Sequence, residues 1–98
     1  MAKYVILMNW TDQGVKGAKD TVNRAKAAAA FIEGRGGKLA DIYWTVGAHD
    51  IVVIAEAPDD ETLSAALLTL AADGNIRTTT MRAFTAEEME GVIAKMRS

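Results

Sequence analysis

The chain has 98 residues, half of them hydrophobic and 24% charged, with a formal net charge of -2 and a sequence pI near 5.3; this balance excludes disorder and a basic nucleic-acid-binding domain, and leaves room for one core. With no cysteine and one histidine, disulfides, thiolate zinc sites, cysteine nucleophiles and His-pair metal centres are impossible within one subunit, and no metal or cofactor is expected. No apolar run approaches the roughly 18 residues that cross a bilayer, and the opening residues lack the pattern of a signal peptide, so the expectation is a soluble, cytoplasmic protein without a membrane partner.

Tyr4 to Trp10 is apolar on both alternate faces and rich in strand formers, which predicts a central strand. Thr11 and Asp12 can cap a first helical turn, and Val15, Ala18, Val22, Ala25, Ala29 and Ile32 then recur at helical steps. Gly14 and Gly17 weaken the first part and Asp20-Thr21 offers a fresh start, so a short helical piece should precede the main helix, which Gly34, Gly36 and Gly37 end.

Lys38 to Val46 reads as an edge-type strand with Ala40, Ile42, Trp44 and Val46 on one side and Leu39, Asp41, Tyr43 and Thr45 on the other. Gly47-Ala48-His49-Asp50 makes a tight connection into Ile51 to Ala55, a second strand apolar on both faces. Pro58-Asp59-Asp60-Glu61 opens a helix with negative charge at its positive dipole end and a buried stripe of Leu63, Ala66, Leu67 and Leu70; the acidic triplet is capping chemistry rather than a magnesium site.

Ile76 to Phe84 alternates as an edge strand, with Arg77, Thr79, Met81 and Ala83 against Ile76, Thr78, Thr80, Arg82 and Phe84. Thr85 and Glu88 form a capping box for a last helix, Phe84 and Met89 are spaced as a hydrophobic staple, and Met89, Val92, Ile93 and Met96 supply a packing face.

This order is the split βαβ pattern, so the predicted fold class is α+β: one ferredoxin-like βαββαβ domain over residues 1–98 with a C-terminal helix. Right-handed crossovers place both long helices on one face of a four-stranded antiparallel sheet ordered 4-1-3-2. The opposite face still carries the alternate apolar residues of the two central strands. A patch beyond about 300–600 Å² is uncommon on a monomer, so a homodimer or higher homo-oligomer through that sheet face is expected.

The same topology gathers one edge of the sheet. Asn9, Trp10, Trp44, Thr45, His49 and Asp50 approach one another there, with Lys16 and the first helical turn nearby, as a polar pocket with aromatic walls. His49 titrates near neutrality and Asp50 could orient it, which makes the two candidate catalytic residues; Asn9, Trp10, Lys16, Trp44 and Thr45 are candidate ligand-binding residues. The plainer alternative has Asp50 capping the hairpin turn, His49 exposed at its tip and the tryptophans in core or interface. Gly14-Val-Lys-Gly17 superficially matches the nucleotide-clamping loop of KH domains, but the element order differs and the chain is acidic, so no nucleic-acid partner is expected.

The stretches Tyr4 to Gly14, Tyr43 to Asp50 and Met81 to Thr85 together resemble the GYD-domain family. The family signature is similar to Gly-x-Tyr-Asp, and the matching positions are Gly47, Ala48, His49 and Asp50, with histidine where tyrosine is usual. The resemblance implies a fold of the dimeric α/β-barrel type and an oligomer, and it carries no catalytic assignment.

The expected function is therefore a homo-oligomeric small-molecule-binding protein whose ligand is planar or anionic. One alternative is a cofactor-independent enzyme of isomerase or oxygenase type with His49 as general acid/base; another is a structural, self-assembling subunit.

Overall fold

The computed structural model describes residues 1–96. Strand β1 spans Ala2–Trp10, followed by a short helix α1 (Asp12–Lys16), a 3-10 turn (Ala18–Asp20) and helix α2 (Thr21–Glu33). Strands β2 (Lys38–Trp44) and β3 (Ile51–Ala57) form a hairpin, α3 (Asp60–Ala72) leads to β4 (Ile76–Ala83), and α4 (Ala86–Ala94) is the last element of the described residues. All neighbouring strands are antiparallel in one open sheet of order β2-β3-β1-β4. This is the ferredoxin-like arrangement read from the sequence.

The two central strands bury every second residue. Tyr4, Ile6 and Met8 face the helices from β1, as do Ile51, Val53, Ala55 and Ala57 from β3, with Ile6 and Val53 paired in register at the centre of the core. Helix α3 closes this layer with buried Leu63, Ala66 and Leu67, as its stripe predicted. Its start is held by Asp59, whose side chain accepts from the Thr62 N–H at 2.8 Å.

Three local readings change. The main helical stripe is rotated: Val15 and Val22 are 51% and 52% exposed, whereas Ile32 is buried. The 3-10 turn at Ala18–Asp20 ends the phase of α1, which accounts for Val15; within α2 the inward line runs through Thr21, Ala25, Ala28 and Ile32, which leaves Val22 outside it. In β2, a register shift between Leu39 and Asp41 makes Ala40 an extra residue, which puts Leu39 on the same face as Ile42 and Trp44. The strand also stops at Trp44; Val46 lies fully exposed in the connection.

Gly14 is a close approach rather than a weak point in a helix. The Asn75 carbonyl reaches over it to accept from the Thr11 N–H at 3.1 Å, and a Cβ on Gly14 would lie 1.9 Å from that oxygen.

Two apolar surfaces have no partner within the described chain. The sheet face away from α2 and α3 carries Val5, Leu7, Val52 and Ile54, all only half-buried, with Tyr43 and Met81 exposed beside them. Helix α4 has its full capping box between Thr85 and Glu88. Yet none of its residues is buried, and it makes no substantial packing contact with the rest of the described chain. Its predicted packing face is therefore open: Met89, Val92, Ile93 and Met96 range from 38% to 69% exposed. Phe84, half of the predicted staple, is half-exposed, with the Arg82 guanidinium 4.7 Å above its ring.

Candidate functional site

The ends of β1 and β2 and the start of β3 meet at one edge of the sheet, and the connection from Thr45 to Asp50 folds onto the end of β1. Asn9 is the centre of this clasp: its Nδ2 donates to the Ala48 carbonyl at 2.9 Å, and its Oδ1 lies 2.8 Å from His49 Nδ1. An amide oxygen can only accept, so Nδ1 carries the hydrogen in this contact. Asp50 works on the backbone. Its carboxylate accepts from the Trp10 N–H at 2.9 Å, its own N–H donates to the Met8 carbonyl and its carbonyl accepts from the Thr45 N–H. The Thr45 hydroxyl donates to the His49 carbonyl.

Asn9, Trp10, Thr45, His49 and Asp50 thus form one hydrogen-bonded cluster. His49 and Asp50 engage different partners within it, His49 through the ring and Asp50 through the end of β1. Lys16 is exposed on α1 and shares no hydrogen bond or ion pair with the cluster among the described residues. Trp44 points to the other layer: its indole N–H donates to Thr21 Oγ1 at 2.9 Å, tying the end of β2 to the first residue of α2.

That bond marks the rim of a cavity of about 490 Å³ between the sheet and the helices. Its floor is Met8, Trp10, Ile42, Ile51 and Ile76 on the helix-side face of the sheet. Its roof is Thr21, Arg24, Ala25, Ala28 and Phe31 of α2, and α3 supplies Thr69 and Leu70 along one side. The origin of the space is visible in the residue sizes: α2 sets alanines over large sheet residues, so the layers are held apart without being filled. The volume falls within the roughly 300–1,000 Å³ of small-molecule pockets, and the mostly apolar lining is typical of them.

Two residues with charged side chains are among those lining the cavity, Arg24 and Asp73. Arg24 is 43% exposed and its only ion pair among the described residues is a loose one, Nε to Asp20 Oδ2 at 4.0 Å. Its guanidinium lies against Gly17, where a Cβ would come within 2.5 Å of Nη2. The guanidinium therefore sits where the cavity meets solvent, with donors to spare.

Of the residues singled out from the sequence, Trp10 lines this cavity and Trp44 is bonded to its rim; the others, Lys16 apart, form the clasp at the neighbouring edge. Thr21, Arg24, Ala25, Ala28 and Phe31 were not anticipated as a site. The signal that could have found them was the run Ala27-Ala28-Ala29-Ala30 in a helix that has to pack on a sheet of isoleucines and tryptophans. Among the described residues no cluster of His, Asp and Glu could hold a metal ion, and no helix is long and apolar enough to cross a membrane.

Comparison with known proteins gives one family and a fold. The GYD domain model matches residues 4–93. No curated protein matches the chain. Among solved structures, MtbAldR superposes with a TM-score of 0.67 at 18% identity over 86% of this chain. The match covers 53% of MtbAldR, so the chain spans about half the length of that protein. TTHA0845 from Thermus thermophilus superposes with a TM-score of 0.54 at 25% identity, over 88% of this chain and 96% of its own.

Proposed function

The chain belongs to the GYD domain family, and from that premise we propose that it is a cytoplasmic, homo-oligomeric binding protein for a small, largely apolar monocarboxylate. The observation that carries this reading is the cavity of about 490 Å³ between α2 and the sheet, apolar in the main, with two charged lining residues. Arg24 meets the carboxylate with a charge-assisted bond that its distant Asp20 contact leaves open. Asp73, the anionic lining residue, disfavours a second negative charge. The flat Trp10 ring on the floor suits a planar or extended apolar body.

Assembly is supported by the half-buried Val5, Leu7, Val52 and Ile54 on the other sheet face, which a second copy would dehydrate.

The test is thermal denaturation with octanoate, decanoate, phenylpropionate and the alcohols and amines of the same skeletons. Carboxylates should raise Tm and alcohols should raise it less, since a ligand at about 100 times its Kd adds roughly 2.7 kcal/mol. Arg24→Gln should erase the preference for the acid while leaving alcohol binding. If no compound raises Tm at millimolar concentration, or if Arg24→Gln leaves the preference intact, the reading fails.

A further inference from the structure

The cavity beneath α2 has one end shut and one end open, and the two ends differ in kind. Towards the last turn of α2 the helix and the sheet are in direct contact: a Cβ on Gly37 would lie 2.9 Å from Ile32 Cγ2 and 2.7 Å from the Glu56 carbonyl oxygen. The lining at this blind end is apolar, with Phe31, Ile32 and Leu39. Leu39 faces the helices there because of the extra residue at Ala40. At the start of α2 the Trp44–Thr21 bond holds the helix over the far end of β2, where Arg24 lines the cavity. Asp73 and Asn75 come to the same end, since the neighbouring Ile76 pairs with Trp10.

We infer that this asymmetry orients and measures the guest: an unbranched carboxylic acid lies along α2, with its carboxylate at Arg24 and its tail stopped by Phe31. This rests on the carboxylate reading above and adds to it the direction and the length of the ligand.

Helical spacing sets the length. Arg24 and Phe31 stand about two turns apart on nearly one line of α2, or about 10 Å along its axis. The lining residues between them, Ala25, Ala27 and Ala28, are all alanine, which leaves an open trough from a cation to an aromatic ring. An extended chain with carbon–carbon bonds of about 1.5 Å advances about 1.25 Å per carbon, so about eight carbons span that trough.

Phe31 is a fixed stop rather than a swinging one. The Arg35 guanidinium lies 4.0 Å from the centre of its ring, a contact made by an exposed side chain one turn further along α2. The ring is thereby held in place, and a longer tail meets it end on.

The test is titration calorimetry with straight-chain saturated acids from butyrate to dodecanoate, at submicellar concentration, on the parent protein, Phe31→Ala and Phe31→Trp. In the parent, affinity should rise about fourfold with each carbon, the worth of one buried methylene, and should stop rising at about eight to ten carbons. Phe31→Ala should carry the rise about two or three carbons further by deepening the blind end, and Phe31→Trp should end it about one carbon sooner. A general loosening of the fold lowers affinity at every length without moving the break, so the position of the break reports the contact itself. A rise that continues unbroken to dodecanoate in the parent, or a break that stays in place in every variant that folds, overturns the length gauge and leaves carboxylate binding standing. If no acid of any length binds the parent at millimolar concentration, both fall.

Discussion

Tyr4 shows how much one side chain joins. It is almost fully buried in the core, and its hydroxyl donates to Asp60 at the start of α3, while the Arg82 guanidinium lies 5.6 Å from the centre of its ring. Burial and then the Asp60 bond push its phenol from 10.0 up to about 12. A raised value means the folded state favours the protonated form: this stabilisation is complete below pH 10 and is lost as pH rises from 10 towards 12. Tyr4→Phe should cost about 1 kcal/mol near neutrality and flatten that alkaline loss, measured by urea unfolding at a series of pH values. A variant whose alkaline profile matches the parent's would place the sensitivity elsewhere. Gly14 gives the sterner test. With the Asn75 carbonyl in the way of any side chain, Gly14→Ala should lose about 2–3 kcal/mol; a change in urea midpoint worth under about 0.5 kcal/mol would mean that the α1 and β4 entrances part freely.

Among the elements, the helix starts are the acid-sensitive points. Asp59 is held below the usual carboxylate range by its bonds to Thr62, and Glu88 by the Thr85 N–H, with further help from the Thr85 hydroxyl, Arg82 and Lys3. Lowered values place their stabilisation above the ordinary carboxylate range and remove it as pH falls through the folded values, so α3 and α4 should loosen below about pH 4. Asp59→Asn keeps a capping acceptor and should make the acid limb shallower, followed by circular dichroism. The elements also show what a sequence conveys. The central strands were legible because Tyr4 to Trp10 and Ile51 to Ala55 are apolar on both faces, a pattern that a two-layer domain gives only to inner strands. The face of Leu39 was not legible, because a single extra residue at Ala40 inverts everything before it. The phase of α2 was hidden by its own composition, since the run Ala27 to Ala30 offers an alanine to either face and the repeat cannot tell the Val22–Ala29 line from the Thr21–Ala28 one.

At the scale of the molecule, the meeting of Asn9, Trp10, Thr45, His49 and Asp50 followed from topology alone, because the sheet order brings the strand ends to one edge. The cavity did not follow. Alanines on a helix permit either close packing or a gap, and the separation of the layers, set by the Trp44–Thr21 bond and by the large residues of the sheet, decides between them. Filling the gap should therefore separate stability from function: Ala28→Leu is expected to raise Tm by a few degrees through new apolar contact while abolishing the response to carboxylates. A variant that loses stability would indicate that the layers are already in contact at that position.

The attachment of α2 has one more consequence. The helix is fixed near its first residue by the indole of Trp44 and near its last turn by buried Ile32, with the hollow beneath its middle. It is a beam resting on two piers, and such a beam does not swing open at either end. A guest would come in sideways, through the seam where Arg24 and Asp73 line the chamber, and the time it takes to enter would be set by diffusion and side-chain rotation rather than by lifting the roof.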